Sequence, residues 1–189
     1  MRDHRPCARL LVPALTLLAV AACRSAPAPT PHPLPRGAPL ERSAIQHTRL
    51  LLGDAGETHA GDSLLSAVRT IADGAPERTT VVFLGDNVYP AGVPERVGST
   101  EHVEALRTLD AQIAAAGKAR AVFVPGNHDW GHAYKKPAAM WAVGVPALTR
   151  QAAHLEAARG GRIVLAPYPG CGGPTEIGTP AFRILALDT

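Results

Sequence analysis

Beyond residue 45, the chain alternates between short apolar runs and longer segments in which apolar residues recur at helical spacing. The apolar runs are continuous and rich in Val, Ile and Leu, which is typical of buried strands. These predicted strands are residues 49–52, 80–84, 121–124, 162–166 and 182–187. Strands without a polar side need cover on both faces, so we expect a sheet that is packed on both sides.

Three segments between these runs have the spacing of amphipathic helices: residues 62–72, 101–116 and 146–159. Asp62 is suited to cap the first helix, and Gly160 follows the last residue of the third. Strands that alternate with helices form parallel sheets through strand-helix-strand crossovers. The sequence therefore predicts the α/β class, with a mostly parallel β-sheet flanked by helices.

The first 22 residues have the pattern of a secretory signal peptide. Residues 1–9 form a short basic segment, and residues 10–22 form an apolar run. A helix that spans a membrane needs about 20 apolar residues, so this run is too short to be a transmembrane anchor. We therefore predict that residues 1–22 are a signal peptide.

The apolar run ends in Val20-Ala21-Ala22-Cys23, which resembles the lipobox of bacterial lipoproteins. The resemblance implies that Cys23 is lipidated, and several acyl chains would attach the protein to a membrane. Arg24 stands where an inner-membrane lipoprotein of a Gram-negative cell would carry Asp, which favours the outer membrane. The predicted location is the bacterial cell envelope, lipid-anchored on the periplasmic face or the outer membrane. The alternative is an ordinary cleavage site with a chance cysteine.

Residues 23–44 are predicted to form the lipidated cysteine and a proline-rich tether. Prolines recur between residues 27 and 39, where they prevent helix formation and remove backbone donors. Such a segment is extended and keeps the folded part away from the bilayer. The folded domain then spans residues 45–189.

The net charge of +3 does not indicate a nucleic-acid partner. Arg2, Arg5, Arg9 and Asp3 all lie in the predicted signal peptide, so two of the three excess positive charges belong to that peptide. Nucleic-acid binding requires a basic face on the folded part of the chain. The three cysteines are too few for a disulfide scaffold, and we interpret Cys171 as a loop thiol.

Polar side chains follow the first three predicted strands. Asp54 follows the first strand, Asp86 the second, and Asn127 and His128 the third. Because the carboxyl ends of parallel strands meet at one edge of the sheet, we expect these side chains to form one site. Carboxylate and amide oxygens suit hard or borderline metal ions. One carboxylate can bridge two ions about 3.5–4 Å apart, and Asp86, in the middle cluster, is the natural bridge.

These three clusters resemble the first three motifs of the calcineurin-like metallophosphoesterases. The motifs are Asp54-Ala55-Gly56, Gly85-Asp86-Asn87-Val88-Tyr89 and Gly126-Asn127-His128-Asp129. The tyrosine three residues after the second aspartate is similar to the purple acid phosphatase branch. The resemblance covers residues 50–189, and it implies the amino-terminal part of a four-layer αββα fold.

The resemblance also implies a set of metal ligands for two ions, Fe with Fe, Zn or Mn. Asp54 would bind the first ion, Asp86 both ions, and Asn127 the second ion through its side-chain oxygen. Tyr89 would bind the first ion as a phenolate, which favours ferric iron there. The alternatives are that Asp54 or Asp86 is a helix cap or turn residue, and that Tyr89 packs under a loop.

The implied activity is hydrolysis of small phosphate esters by an acid phosphatase-like phosphomonoesterase. Water activated by the metals would attack phosphorus in line with the leaving alcohol. His128 would act as a proton donor or charge stabiliser, and Asp129 would orient its ring. The alternatives are a nucleotide or cyclic-nucleotide phosphodiesterase, and a lipid-anchored scaffold domain that has lost its metals.

The family completes its metal site with a later isolated histidine and a Gly-His-any-His motif. In these 189 residues, no Gly-His-any-His motif follows Asp129, and no histidine stands where the family has its later isolated ligand. We therefore expect residues 45–189 to be the amino-terminal portion of the metallophosphoesterase domain, and expect this portion by itself to be nearly inactive.

Overall fold

The computed structural model describes residues 41–59, 61–131, 133, 136–159, 161–179 and 182–188. The predicted signal peptide, the lipidation of Cys23 and the proline-rich part of the tether lie outside these residues. The compact unit of the chain spans Ser43–Thr189. Of the helices that are described, none combines the length and apolarity needed to cross a membrane.

The centre of this unit is a parallel sheet of four strands in the order β1-β2-β3-β4. The strands are β1 Thr48–Leu52, β2 Thr79–Phe83, β3 Arg120–Phe123 and β4 Ile163–Leu165. Leu52 pairs with Phe83, and Phe83 pairs with Phe123, so the carboxyl ends of the first three strands are level. The loops that follow them therefore emerge side by side.

The three predicted helices are present as α1 Ser63–Gly74, α2 Thr100–Ala116 and α3 Val145–Arg159. Asp62 caps α1, because its carboxylate accepts from the backbone N–H of Leu64 at 2.9 Å and of Leu65 at 3.0 Å. A π-helix at Met140–Gly144 leads directly into α3. Short 3-10 turns lie at Arg42–Ala44, Pro76–Arg78 and Pro137–Ala139.

All three helices pack on one face of the parallel sheet. Right-handed crossovers between strands in sequential order bring every helix to the same side. On that side, Leu109, Leu148 and Leu155 are fully buried in one core with the sheet. Phe83 and Phe123 stack within this core, with ring centroids 4.5 Å apart.

The opposite face of the sheet is covered by a hairpin, not by a helix. Its antiparallel strands are β5 Thr175–Gly178 and β6 Arg183–Ala186, and they form a separate two-stranded sheet. Ile177 and Ala186 pack against Val82 and Val122 of the parallel sheet. The predicted run at 182–187 is thus a strand that pairs with β5. The predicted α/β class, with a parallel sheet flanked by helices, is confirmed.

Cys171 lies in the loop between β4 and β5 and is disulfide-bonded. Our interpretation of this residue as a loop thiol is therefore wrong. The other two cysteines of the sequence, Cys7 and Cys23, lie outside the described residues.

Candidate metal centre

The backbone at Asp54 and Asp86 is in the left-handed conformation. Their φ angles are 55° and 52°, and the structure describes no other non-glycine residue with a positive φ. This conformation costs about 1 kcal/mol for a residue with a side chain, and such strain concentrates at functional sites. The chain turns in the same unusual way directly after β1 and after β2.

The side chains of these two aspartates converge on the phenol of Tyr89. The Tyr89 hydroxyl lies 2.9 Å from Oδ1 of Asp54 and 3.0 Å from Oδ2 of Asp86. The two carboxylates are therefore no farther apart than these two distances together. The predicted convergence of Asp54 and Asp86 at one edge of the sheet is observed.

One hydroxyl proton cannot satisfy two carboxylates at once. Burial raises the pKa of Tyr89, and the hydrogen bonds to Asp54 and Asp86 and the charges of these residues raise it further. Without a cation, the phenol therefore stays protonated and donates to one carboxylate at a time. Among the described residues, no Lys or Arg lies within salt-bridge distance of either aspartate.

The loop after β3 packs against Asp86. The backbone N–H of His128 donates to Oδ1 of Asp86 at 3.0 Å, so both oxygens of this carboxylate are engaged. A Cβ atom at Gly126 would collide with the backbone nitrogen and a carboxylate oxygen of Asp86. By contrast, a Cβ atom at Gly53, before Asp54, would meet no atom within 4 Å. Only glycine allows the third loop to approach Asp86 this closely.

The ring of His128 lies against this cluster. Its Nδ1 is 2.6 Å from the carbonyl oxygen of Pro90, and its ring centroid is 4.5 Å from that of Tyr89. A carbonyl only accepts hydrogen bonds, so Nδ1 carries a proton and donates. In the neutral ring, Nε2 is then the nitrogen that can accept a proton.

The role of Asp129 in orienting the ring of His128 stays a prediction, because the hydrogen bonds described for Asp129 go to other groups. Its fully buried carboxylate accepts from the backbone N–H groups of Asn87 and Val88, at 3.1 Å each, and of Gly126 at 2.7 Å. Burial raises the pKa of Asp129 to about 6, and these hydrogen bonds oppose the increase. Asp129 therefore joins the loops after β2 and β3 through hydrogen bonds. The turns in these loops point buried backbone N–H groups towards the interior, where each needs an acceptor.

Two buried amides support the same loops. The Asn87 side chain donates to the carbonyl oxygen of Val124 at 2.8 Å. The Gln112 side chain on α2 donates to the carbonyl oxygens of Ala55 at 2.7 Å and Asn87 at 2.8 Å. This role of Gln112 was not predicted from the sequence, although a glutamine on the buried face of an amphipathic helix is a signal for such a contact.

Asn127 lies between Gly126 and His128, both of which contact Asp86. Its exposed side chain lines a cavity of about 540 Å³ next to the carboxylates. The structure thus brings Asp54, Asp86 and Tyr89 into direct contact and places Asn127 beside them. It does not show a hydrogen bond between the Asn127 side chain and either carboxylate.

The donor atoms at this edge suit a hard cation. Two carboxylates, a phenol and a neighbouring amide supply oxygen ligands without thiolate. Within the described residues, no group of three or more His, Cys, Asp or Glu side chains is positioned to hold a metal. Tyr89 and Asn127 would therefore have to supplement the two aspartates, as the motif pattern implies.

Comparisons with known proteins do not assign the chain to a family. No family model matches it, no curated protein matches it, and no solved structure matches it. The resemblance to metallophosphoesterases therefore stays a prediction, and it depends on the three motifs and on the geometry described above.

Proposed function

We propose that this chain is a calcineurin-like metallophosphoesterase, similar to the purple acid phosphatases, that hydrolyses phosphomonoesters on the cell envelope. The observation that carries the proposal is the contact of one phenol, Tyr89, with the carboxylates of both Asp54 and Asp86. These groups come from two different strand ends, and a third strand end packs on Asp86 through His128. A parallel sheet with helices on one face and a second sheet on the other is consistent with the αββα architecture.

The residues fit a pair of metal ions, Fe with Fe, Zn or Mn. Asp54 and Tyr89 would hold the first ion, Asp86 would bridge the two, and Asn127 would hold the second. When bound, the ions neutralise the carboxylates and activate water for attack on the phosphate. A nearby multivalent cation also opposes the raised pKa of Tyr89 and favours its phenolate form.

The protein side chains supply the remaining parts of the reaction. His128 lies beside Tyr89, and its Nδ1 is held by the Pro90 carbonyl, so Nε2 is the ring atom suited to deliver a proton to the leaving oxygen. Asp129 positions the two loops that carry Asp86 and His128, and it acts without touching the substrate.

The test of this proposal is phosphate release from 4-nitrophenyl phosphate by the purified protein after addition of Fe, Zn or Mn. We expect slow turnover, because the later histidine ligands of the family pattern are missing from these residues. A chelator should abolish this turnover and fresh metal should restore it. Turnover that persists in excess chelator would contradict metal-dependent hydrolysis. Turnover of bis(4-nitrophenyl) phosphate but not of the monoester would indicate a phosphodiesterase instead.

Replacing Tyr89 by Phe is expected to remove a visible absorption band from iron-loaded protein. Phenolate bound to ferric iron absorbs visible light by charge transfer, whereas phenylalanine offers no ligand atom. The measurement is a visible spectrum of both proteins at matched iron content. Tyr168, an exposed tyrosine outside this cluster, is the control, and Tyr168→Phe should keep the band. A band of equal intensity in Tyr89→Phe would exclude Tyr89 as the phenolate ligand.

A further inference from the structure

The cavity beside Asn127 has the lining of a binding site for an apolar group. Its volume of about 540 Å³ falls within the range of small-molecule pockets. Trp130, Met140, Trp141 and Val145 supply much of its apolar wall. Two residues of the lining, Gly126 and Asn127, belong to the loop that packs against Asp86 of the candidate metal centre.

The two tryptophans differ in exposure. Trp130 is 9% exposed and belongs to the hydrophobic core, so it forms a rigid part of the wall. Trp141 is 71% exposed, although it also lines the cavity. An indole face that is open to water next to a cavity gains free energy when a flat ligand stacks on it.

The charge of the cavity also restricts its ligand. Asp188 is the one ionisable side chain among the described residues that line it. Burial raises the pKa of Asp188, and the indole of Trp130 acts in the opposite direction. None of the described lining residues is Lys or Arg, so these residues offer no cationic partner to a second anionic group beyond the phosphate.

We propose that this cavity binds the alcohol portion of the phosphate ester and selects a neutral, flat aromatic group that stacks on Trp141. The assignment to a substrate rests on the proposed function, because Asn127 would link the cavity to the metal-held phosphate. Trp141 is then a specificity-determining residue, and Asp188 disfavours alcohols that carry a negative charge.

Binding can be tested without turnover. Trp130 and Trp141 are the two tryptophans of the sequence, so tryptophan fluorescence reports on this cavity. We expect 2-phenylethanol to change the fluorescence saturably at about millimolar concentration, and propan-1-ol to leave it unchanged. Phenylacetate should bind about tenfold more weakly than 2-phenylethanol, because its carboxylate is repelled by Asp188. The Asp188→Asn variant should reduce this difference in affinity.

Two variants separate the cavity from the general surface. Trp141→Ala should abolish saturable binding of 2-phenylethanol, with Trp130 still present as the reporter. Tyr168→Ala removes an exposed aromatic that does not line the cavity, and it should leave binding intact. An unchanged affinity in Trp141→Ala, or no saturable signal in the unmodified protein, would overturn the proposal.

Kinetics distinguish this proposal from the proposed function. Propyl phosphate and 2-phenylethyl phosphate both release a primary alcohol, so their intrinsic reactivities are similar. We expect kcat/KM to be at least about tenfold higher for the aromatic ester and the difference to disappear in Trp141→Ala. Equal hydrolysis of both esters by the unmodified protein would overturn the aromatic specificity alone. Hydrolysis of neither ester would overturn the phosphatase function and, with it, the assignment of the cavity to a substrate.

Discussion

Replacing Asp86 by Asn is expected to lower kcat for phosphomonoester hydrolysis by about 1000-fold or more. Asp86 is the residue that would bridge both metal ions, and the change removes its negative charge. The shape of the side chain is kept. An amide oxygen can still accept from the His128 N–H, and the amide nitrogen can donate to the Tyr89 hydroxyl. The loss should therefore be in activity and metal affinity, with little change in the free energy of unfolding of the metal-free protein.

The matched control is Asp62→Asn, which makes the same chemical change at the start of α1. Asp62 caps this helix through its carboxylate, and asparagine is an equally good N-cap. We expect this variant to keep the activity of the unmodified protein. The measurement is steady-state turnover at saturating metal. An Asp86→Asn protein with activity within about tenfold of the unmodified protein would contradict the bridging role.

Replacing Asp129 by Ala is expected to lower the free energy of unfolding by about 3–5 kcal/mol. The change leaves the buried backbone N–H groups of Asn87, Val88 and Gly126 without their acceptor. Each buried donor that loses its partner costs about 1–3 kcal/mol. These groups hold the loops after β2 and β3 together, so the variant should also lose activity.

Urea unfolding of metal-free protein measures this effect, because bound metal would itself add stability. Asp110→Ala is the control. The carboxylate of Asp110 is 62% exposed and pairs with His154 on the surface, so its removal should cost less than about 1 kcal/mol. A loss below about 1 kcal/mol in Asp129→Ala would show that its hydrogen bonds do not hold the loops.

The helices were predictable from apolar residues at helical spacing, and the central strands from short, continuous apolar runs. The strands β2 to β4 are short and largely buried, whereas in the edge strand β1 only Leu52 is buried. The Asp62 cap of α1 forms as expected. The strand β5 was not predicted. It has the sequence Thr-Glu-Ile-Gly, in which only Ile177 is buried, so it lacks a readable alternation. Its pairing with β6 depends on a tertiary contact with Val82 and Val122.

The convergence of Asp54 and Asp86 was predictable because it follows from parallel strands of equal register. The role of Asp129 was not predictable. Whether a carboxylate in a loop faces outward to a histidine or inward to backbone donors depends on the paths of two loops that are distant in sequence. The hydrogen bonds from Gln112 to the carbonyl oxygens of Ala55 and Asn87 were not predictable either, because they also join segments that are distant in sequence.

The most direct test of the two-metal site is the metal stoichiometry of the purified protein, measured by native mass spectrometry after exposure to Fe, Zn or Mn. We predict two ions per chain, and fewer than two in a variant that carries both Asp54→Asn and Asp86→Asn. A protein that binds no ion under these conditions, or a double variant that keeps two, would contradict the proposed metal centre.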